Sequence, residues 1–311
     1  MEPAPFFQEI SGGPSNGSAV WTTTRDGIRL RVGYWPAEQD VCGTIFLFPG
    51  RTEYIELQGR LARDLVAKGF SVLTIDWRGH GLSQRLLDDP ATLHVEAFSD
   101  YQKDVDAFLQ IATTLGMPKP WFLMANSMGG NIGLRATLQG LPVAACSFTA
   151  PMWGIEMSGL QRLIASPVAW AACALGHGEA YVPGHDGKNY VSHAPFEGNR
   201  ITFDPENYGY WVQQARTRPE LQTAGSSLKW LRESLGECRR ISKLKLPDLP
   251  CITFYGDCDE VVDKRAIQQR MAAWSNSEYV ELKHAKHALL LERPDVRAAV
   301  ISRTVERFLE T

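Results

Sequence analysis

The chain has 311 residues, 44% hydrophobic and 22% charged. This balance excludes global disorder and a small disulfide scaffold, and it allows one large α/β domain or a domain carrying an insertion. Lys and Arg number 32 against 35 Asp and Glu, a net charge of −3, and without a basic run able to neutralise several phosphates no nucleic-acid partner is expected.

Residues Met1 to Ile10 show neither the basic nor the apolar region of a signal peptide, which predicts a cytoplasmic protein. From Val20, apolar and polar residues alternate around an Asp26-Gly27 turn, with Ile28, Leu30, Val32 and Tyr34 on one face. That pattern predicts an antiparallel hairpin. Nearly continuous apolar runs then predict strands buried on both faces at Thr44–Phe48, Phe70–Ile75, Trp121–Ala125 and Val143–Thr149. Between them, Leu57, Leu61 and Leu65 recur at helical spacing before Gly69, as do Tyr101, Val105, Phe108 and Leu109 before Gly116. Alternation of strand and helix implies a mostly parallel central sheet covered on both faces, after the N-terminal hairpin.

The alternation breaks between Pro151 and Leu246, where helical patterns and four tryptophans (Trp153, Trp170, Trp211, Trp230) occur without a clear strand. We read residues 151–246 as an inserted helical cap, with 1–150 and 247–311 as the two parts of the α/β core. The apolar run Pro167–Leu175 is far short of the ~20 residues that cross a bilayer. Strand patterns resume at Cys251–Tyr255 and Tyr279–Leu282, and a last helix opens at Pro294 with Val296, Ala299 and Val300 inward. The six cysteines (Cys42, Cys146, Cys173, Cys238, Cys251, Cys258) form neither a C-x-x-C pair nor a Cys/His cluster. They predict mostly buried thiols and no metal.

The chemistry concentrates at Trp121-Phe-Leu-Met-Ala-Asn-Ser127-Met128-Gly129-Gly130, an apolar strand running straight into a serine flanked by small residues and then a helix. This is the context of a nucleophile elbow, whose turn is so tight that the positions two before and two after the serine must be nearly free of side chain. Ala125 and Gly129 satisfy that, although Ala125 stands where glycine is more usual. A serine nucleophile needs a base and an acid, each just beyond a later strand. Asp257 and Asp259 follow one such strand, and His284 and His287 follow the next. The order Ser, Asp, His is the one this arrangement uses. Position alone does not separate the two aspartates or the two histidines.

Taken together, these motifs resemble the bacterial lysophospholipase and monoacylglycerol lipase group of α/β-hydrolases. The resemblance spans nearly the whole chain. It is carried by Ala125-Asn-Ser-Met-Gly-Gly130, by Asp76-Trp-Arg-Gly-His-Gly-Leu-Ser83, by the Gly-x-x-Asp turn ending at Asp259, and by Ala285-Lys-His-Ala288. It implies an α/β-hydrolase fold with an inserted cap, and a catalytic triad of Ser127, Asp259 and His287 acting on carboxylic esters without a cofactor. The loop from Asp76 to Ser83 is implied to be structural, and His80 within it is not assigned to catalysis. Pro49-Gly50 replaces the His-Gly that the group carries at the oxyanion loop. Backbone N–H groups suffice there, and those of Arg51 and Met128 are the expected donors. The Arg51 side chain is expected to pair with Glu53 or Glu56, the alternative being contact with an anionic head group. Glu53 matches a glutamate of the group and is expected to be structural.

In the cap, Met152, Trp153, Met157, Leu160, Ile164, Val168 and Trp170 form an apolar series that suits an acyl-chain lining, a membrane-facing surface or simply the cap's own core. The expected substrate is a small ester or lysolipid, with peripheral membrane contact through the cap. Two alternatives stand beside this reading. One is an amidase or aminopeptidase, with Glu156, Glu179 or Glu197 holding a peptide amine, and the other is a ligand-binding protein on a hydrolase scaffold.

Overall fold

The structure is a computed structural model that describes residues 1–311. Nine strands form one sheet: β1 (Glu2–Ala4), β2 (Ser18–Thr23), β3 (Arg29–Trp35), β4 (Gly43–Phe48), β5 (Phe70–Asp76), β6 (Trp121–Asn126), β7 (Cys146–Thr149), β8 (Cys251–Gly256) and β9 (Ser277–Leu282). Their spatial order is β1-β2-β3-β5-β4-β6-β7-β8-β9, with the pairings from β1 to β5 antiparallel and all others parallel. The helices are α1 (Gln8–Ser11), α2 (Gly59–Val66), α3 (Tyr101–Thr114), α4 (Ser127–Leu138), α5 (Gly159–Ala174), α6 (Tyr190–His193), α7 (Pro205–Thr217), α8 (Leu228–Ile241), α9 (Lys264–Ala272) and α10 (Pro294–Leu309). Helices α5 to α8 all lie in the stretch between β7 and β8. No helix is long and apolar enough to cross a membrane.

The central strands are apolar throughout because each of their faces meets a helical layer. Alternate residues divide between two cores. Phe46, Phe48, Leu123 and Ala125 face one with Phe108 and Ile132, while Ile45, Leu47, Phe122 and Met124 face the other with Leu61, Val300 and Phe308. Parallel strands also place their carboxyl ends on one edge, so the loops after β4, β6, β8 and β9 converge there.

Three local features differ from the sequence-based expectation. The edge strand β1 and the short α1 were not anticipated, because Pro3 and Pro5 flank residues with little β-propensity; proline is tolerated at an edge, where a missing N–H costs no ladder bond. β7 begins at Cys146 rather than Val143, since the preceding residues reach β6 through isolated bonds such as Ala144 N–H to the Trp121 carbonyl. Of the cysteines, Cys146, Cys238 and Cys251 are buried and the other three are half-buried; all six are free.

The hairpin strand β3 is buried on both faces, with Arg31 and Trp35 as inaccessible as Leu30 and Val32. Arg31 can be buried because its guanidinium forks onto Glu56 (Nη1 to Oε1 and Nη2 to Oε2, both 2.8 Å) while Nε donates to Asp76 Oδ2 at 2.7 Å. All three side chains are fully withdrawn from water. Asp76 also accepts the N–H groups of Ile55 and Leu82, so this cluster ties β3 and β5 to the segment that follows β4. Removing one partner of a fully buried ion pair strands the other charge. Arg31→Ala is therefore expected to lower unfolding stability by about 3–5 kcal/mol in urea denaturation, and a loss under about 1 kcal/mol would mean that the cluster is dispensable.

Candidate active site

Strand β6 is buried over its whole length and passes directly into α4, whose first residue, Ser127, has φ +50°. A left-handed backbone is unfavourable for a residue with a β-carbon and persists only where the surroundings impose it. The imposing contact is at Gly129: a β-carbon there would sit 2.2 Å from the Phe48 carbonyl oxygen and 2.5 Å from that of Pro49. Helix α4 thus starts hard against the end of β4. Ala125, the departure from the usual glycine, is accommodated because Gly133 faces it; a β-carbon on Gly133 would lie 3.3 Å from the Ala125 β-carbon.

Ser127 Oγ lies 2.9 Å from His287 Nε2, and His287 Nδ1 lies 2.8 Å from Asp259 Oδ2. The other Asp259 oxygen accepts the N–H groups of Val261 (2.7 Å) and Val262 (3.2 Å). With one oxygen fixed by backbone, the second receives Nδ1–H of the imidazole and leaves the Nε2 lone pair toward the serine. Ser127, Asp259 and His287 are each only 8% exposed, which strengthens such polar contacts by excluding water. The rival residues stand outside this chain of bonds. His284 is exposed with φ +50°, and Asp257 accepts the Ala285 N–H.

The loop after β4 packs onto the same serine. A β-carbon on Gly50 would be 3.1 Å from Ser127 Cβ and 2.9 Å from Glu53 Oε1, so a side chain there would displace the Glu53 carboxylate or the serine. Buried Glu53 organises this contact. Its Oε2 accepts Gly50 N–H (2.8 Å) and Gln58 Nε2 (3.1 Å), and its Oε1 accepts Asn126 Nδ2 (2.6 Å). Asn126 Oδ1 in turn accepts Thr149 Oγ1–H at 3.0 Å. Burial raises the Glu53 pKa, against the lowering effect of these donors. The Arg51 N–H donates to no protein group, and the Met128 N–H belongs to the first turn of α4, where helical acceptors are missing. Both are the donors expected from the sequence. The part played by Asn126 had no sequence signal, because the elbow constrains its neighbours and not the residue before the serine.

The Arg51 side chain departs from its expected pairing. Glu53 is engaged as described and Glu56 is held by Arg31, so neither is available to it. Its Nη1 instead donates to Ser226 Oγ at 2.9 Å, and its guanidinium lies 5.6 Å from the Trp230 ring centroid. His80 is fully buried with Nδ1 3.0 Å from the Arg78 carbonyl, and burial lowers its pKa to about 3. It makes no bond to Ser127 or His287.

The structure does not bring Met152, Trp153, Met157, Leu160 and Trp170, the residues of the apolar cap series expected to bind substrate, together. Met152 and Trp153 belong to the core behind the elbow: Met152 N–H donates to the Ser127 carbonyl and Trp153 Nε1 to that of Gly130. Met157 is half-buried, while Leu160 and Trp170 are 69% and 60% exposed on α5. Apolar periodicity located a helix face but not its direction, and α5 turns that face outward. Glu156, Glu179 and Glu197 are each exposed.

Residues 39–294 match the family described as serine aminopeptidase, S33. The chain is 31% identical over 277 residues to lysophospholipase L2 of Escherichia coli (strain K12), covering 85% of this chain and 79% of the relative. It is also 30% identical over 118 residues to the monoglyceride lipase of Saccharomyces cerevisiae, 37% of each chain. Among solved structures, it is similar to a soluble variant of the Saccharomyces cerevisiae monoglyceride lipase in complex with a substrate analogue. That match has a TM-score of 0.74 and 19% identity over 97% of both chains. It is likewise similar to a carboxyl esterase from Bacillus coagulans, with a TM-score of 0.74, 13% identity, and 94% and 98% of the two chains covered. These structures support the α/β-hydrolase fold.

Glu53→Gln replaces one acceptor oxygen by a donor and sets it against Gly50 N–H or Asn126 Nδ2. Losing a buried charge-assisted bond in this way is expected to cost about 1–3 kcal/mol of stability and to lower the rate of ester hydrolysis by about tenfold or more. Thermal melting and kcat/KM on an ester check this, and unchanged values in both would remove Glu53 from the support of the loop.

Proposed function

The chain belongs to the serine aminopeptidase S33 family of α/β-hydrolases, and from that premise we propose that it is a carboxylic ester hydrolase of the lysophospholipase or monoacylglycerol lipase type, with Ser127 as nucleophile. The observation that carries this reading is the hydrogen-bonded series Ser127, His287, Asp259 at the carboxyl edge of the sheet. The relatives named lysophospholipase L2 and monoglyceride lipase support the choice of substrate class.

In this mechanism Ser127 Oγ attacks the ester carbonyl carbon as His287 Nε2 takes its proton. The oxygen of the tetrahedral intermediate gains negative charge, and the N–H groups of Arg51 and Met128 stabilise it. Collapse of the intermediate breaks the carbon–oxygen bond, and the proton on His287 passes to the departing alcohol. Water, deprotonated by His287, then attacks the acyl-enzyme and releases the carboxylic acid. Asp259 holds the imidazole in the required tautomer and stabilises its protonated form. Peptide chemistry would require a site for the substrate amine, and the three carboxylates considered for it are solvated at separate exposed positions.

Ser127→Ala is expected to reduce kcat by on the order of 10⁶ with thermal stability nearly unchanged. His287→Ala is expected to be comparably severe and His284→Ala mild, in assays with p-nitrophenyl esters. Near-wild-type turnover by the serine variant, or a reversed order of the two histidines, would refute the assignment.

Helix α5 presents Leu160, Leu163, Ile164, Val168 and Trp170 on its outer side at 47–74% exposure. A contiguous apolar helix face of this kind suits the interfacial layer of a membrane, where a lipid-ester substrate resides. Co-sedimentation with phosphatidylglycerol and phosphatidylcholine vesicles is expected for the wild type and should fall at least several-fold for Leu163→Asp combined with Ile164→Asp. Equal sedimentation of the two proteins would exclude this face as the contact.

A further inference from the structure

Two arginines near the sheet's carboxyl edge are half-buried without a carboxylate partner. Arg85 uses its guanidinium on four backbone carbonyls, those of Gly79, Gly81, Glu220 and Gln222. Arg51 makes one hydrogen bond, Nη1 to Ser226 Oγ, and its Nε and Nη2 donate to nothing in the protein. The acids nearest to it in sequence are committed elsewhere, Glu53 to Gly50, Gln58 and Asn126, and Glu56 to Arg31. The titratable groups that feel its charge are His80 and His185. Both have lowered pKa values, from burial first and from the Arg51 charge as a lesser cause, and His185 Nδ1 accepts the Ser226 N–H. Asp186, beyond His185, is exposed.

The protein around this half-buried guanidinium supplies no anion, an unfavourable arrangement for a partly desolvated charge, and that desolvation lowers the Arg51 pKa. Its free donors are those an incoming anion would take. Placement makes that anion part of the substrate. Arg51 follows Gly50, which packs on Ser127, and its own N–H is one of the two proposed for the oxyanion. An ester whose carbonyl oxygen rests on this N–H carries its alcohol portion within the span of the same residue's side chain. Ser226 and Trp230 fix the far end of that side chain, with Ser226 bridged to Leu93 of the core. In a lysophospholipid, the phosphate stands on the far side of the glycerol from the ester, and a guanidinium matches two phosphate oxygens with parallel N–H bonds.

We propose that the Arg51 side chain binds the phosphate of a glycerophospho head group, so that the enzyme selects single-acyl glycerophospholipids over neutral monoacylglycerols. This selectivity rests on the ester-hydrolase reading of Ser127.

The test compares 1-decanoyl-glycerol 3-phosphate with 1-decanoylglycerol below their aggregation concentrations. The wild type is expected to favour the phosphate ester in kcat/KM by about tenfold or more, and Arg51→Gln to lower that ratio on the order of 10- to 100-fold. Arg51→Lys should keep an intermediate ratio, since it retains the charge without the fork. A wild-type preference for the neutral ester, or an unchanged ratio in Arg51→Gln while esters are still cleaved, overturns the proposal alone. Absence of turnover of both esters by the wild type overturns the ester-hydrolase reading and this selectivity with it. Should Arg51→Gln not fold, the wild type answers by inhibition. Decyl phosphate is expected to compete at least about tenfold more tightly than decanol, and equal inhibition overturns the proposal. Inorganic phosphate should not compete at those concentrations; competition as strong as that of decyl phosphate would assign Arg51 to a free anion and overturn the lipid reading.

Discussion

The approach of Gly129 to the Phe48 carbonyl, closer than any β-carbon permits, is the constraint on which the site depends. It pins the start of α4 to the end of β4 and thereby forces Ser127 into a left-handed backbone at the mouth of the sheet. A serine in an ordinary helix cap would point along its own helix. Here the turn lifts the hydroxyl to where the loops after β8 and β9 deliver Asp259 and His287. The same closeness brings Gly50 against the serine, so Ser127 and the loop after β4 are positioned by one contact rather than by two independent ones.

That crowding is stable because two buried polar clusters hold the loop after β4 from behind. Glu53 gathers the Gly50 N–H, Gln58 and Asn126, while Glu56, three residues on, is clamped by Arg31 from β3 with Asp76 as second anchor. Each carboxylate is desolvated, and each is compensated by directed donors. The arrangement exchanges the adaptability of a surface loop for a fixed set of backbone donors, which is what stabilisation of a developing charge requires. The remaining strain sits at Ser127, a residue that a fold selected for stability alone would make glycine.

Much of this was legible in the sequence, and the reasons are local. The apolar runs from Thr44 to Phe48 and from Trp121 to Ala125 announce strands buried on both sides, and Ala125, Gly129 and Gly130 around Ser127 announce a turn with no room for side chains. The choice between Asp257 and Asp259, or His284 and His287, was open by position, because adjacent loop residues share a neighbourhood in sequence but not a direction in space. Pairing of Arg51 with Glu53 was a reasonable expectation from proximity, yet both nearby acids bind partners supplied by distant strands and helices, which periodicity does not reveal. Helix α5 shows the same limit: its apolar spacing was visible, but whether that face turns to the core or to solvent depends on packing against α8.

Attack by Ser127 from within the assembled relay is the central claim, and covalent trapping tests it most directly. Intact-mass analysis after treatment with a fluorophosphonate, followed by peptide mapping, is predicted to find one adduct per chain, located on Ser127. No adduct on the folded protein, or an adduct on another residue with Ser127 unmodified, would contradict the account.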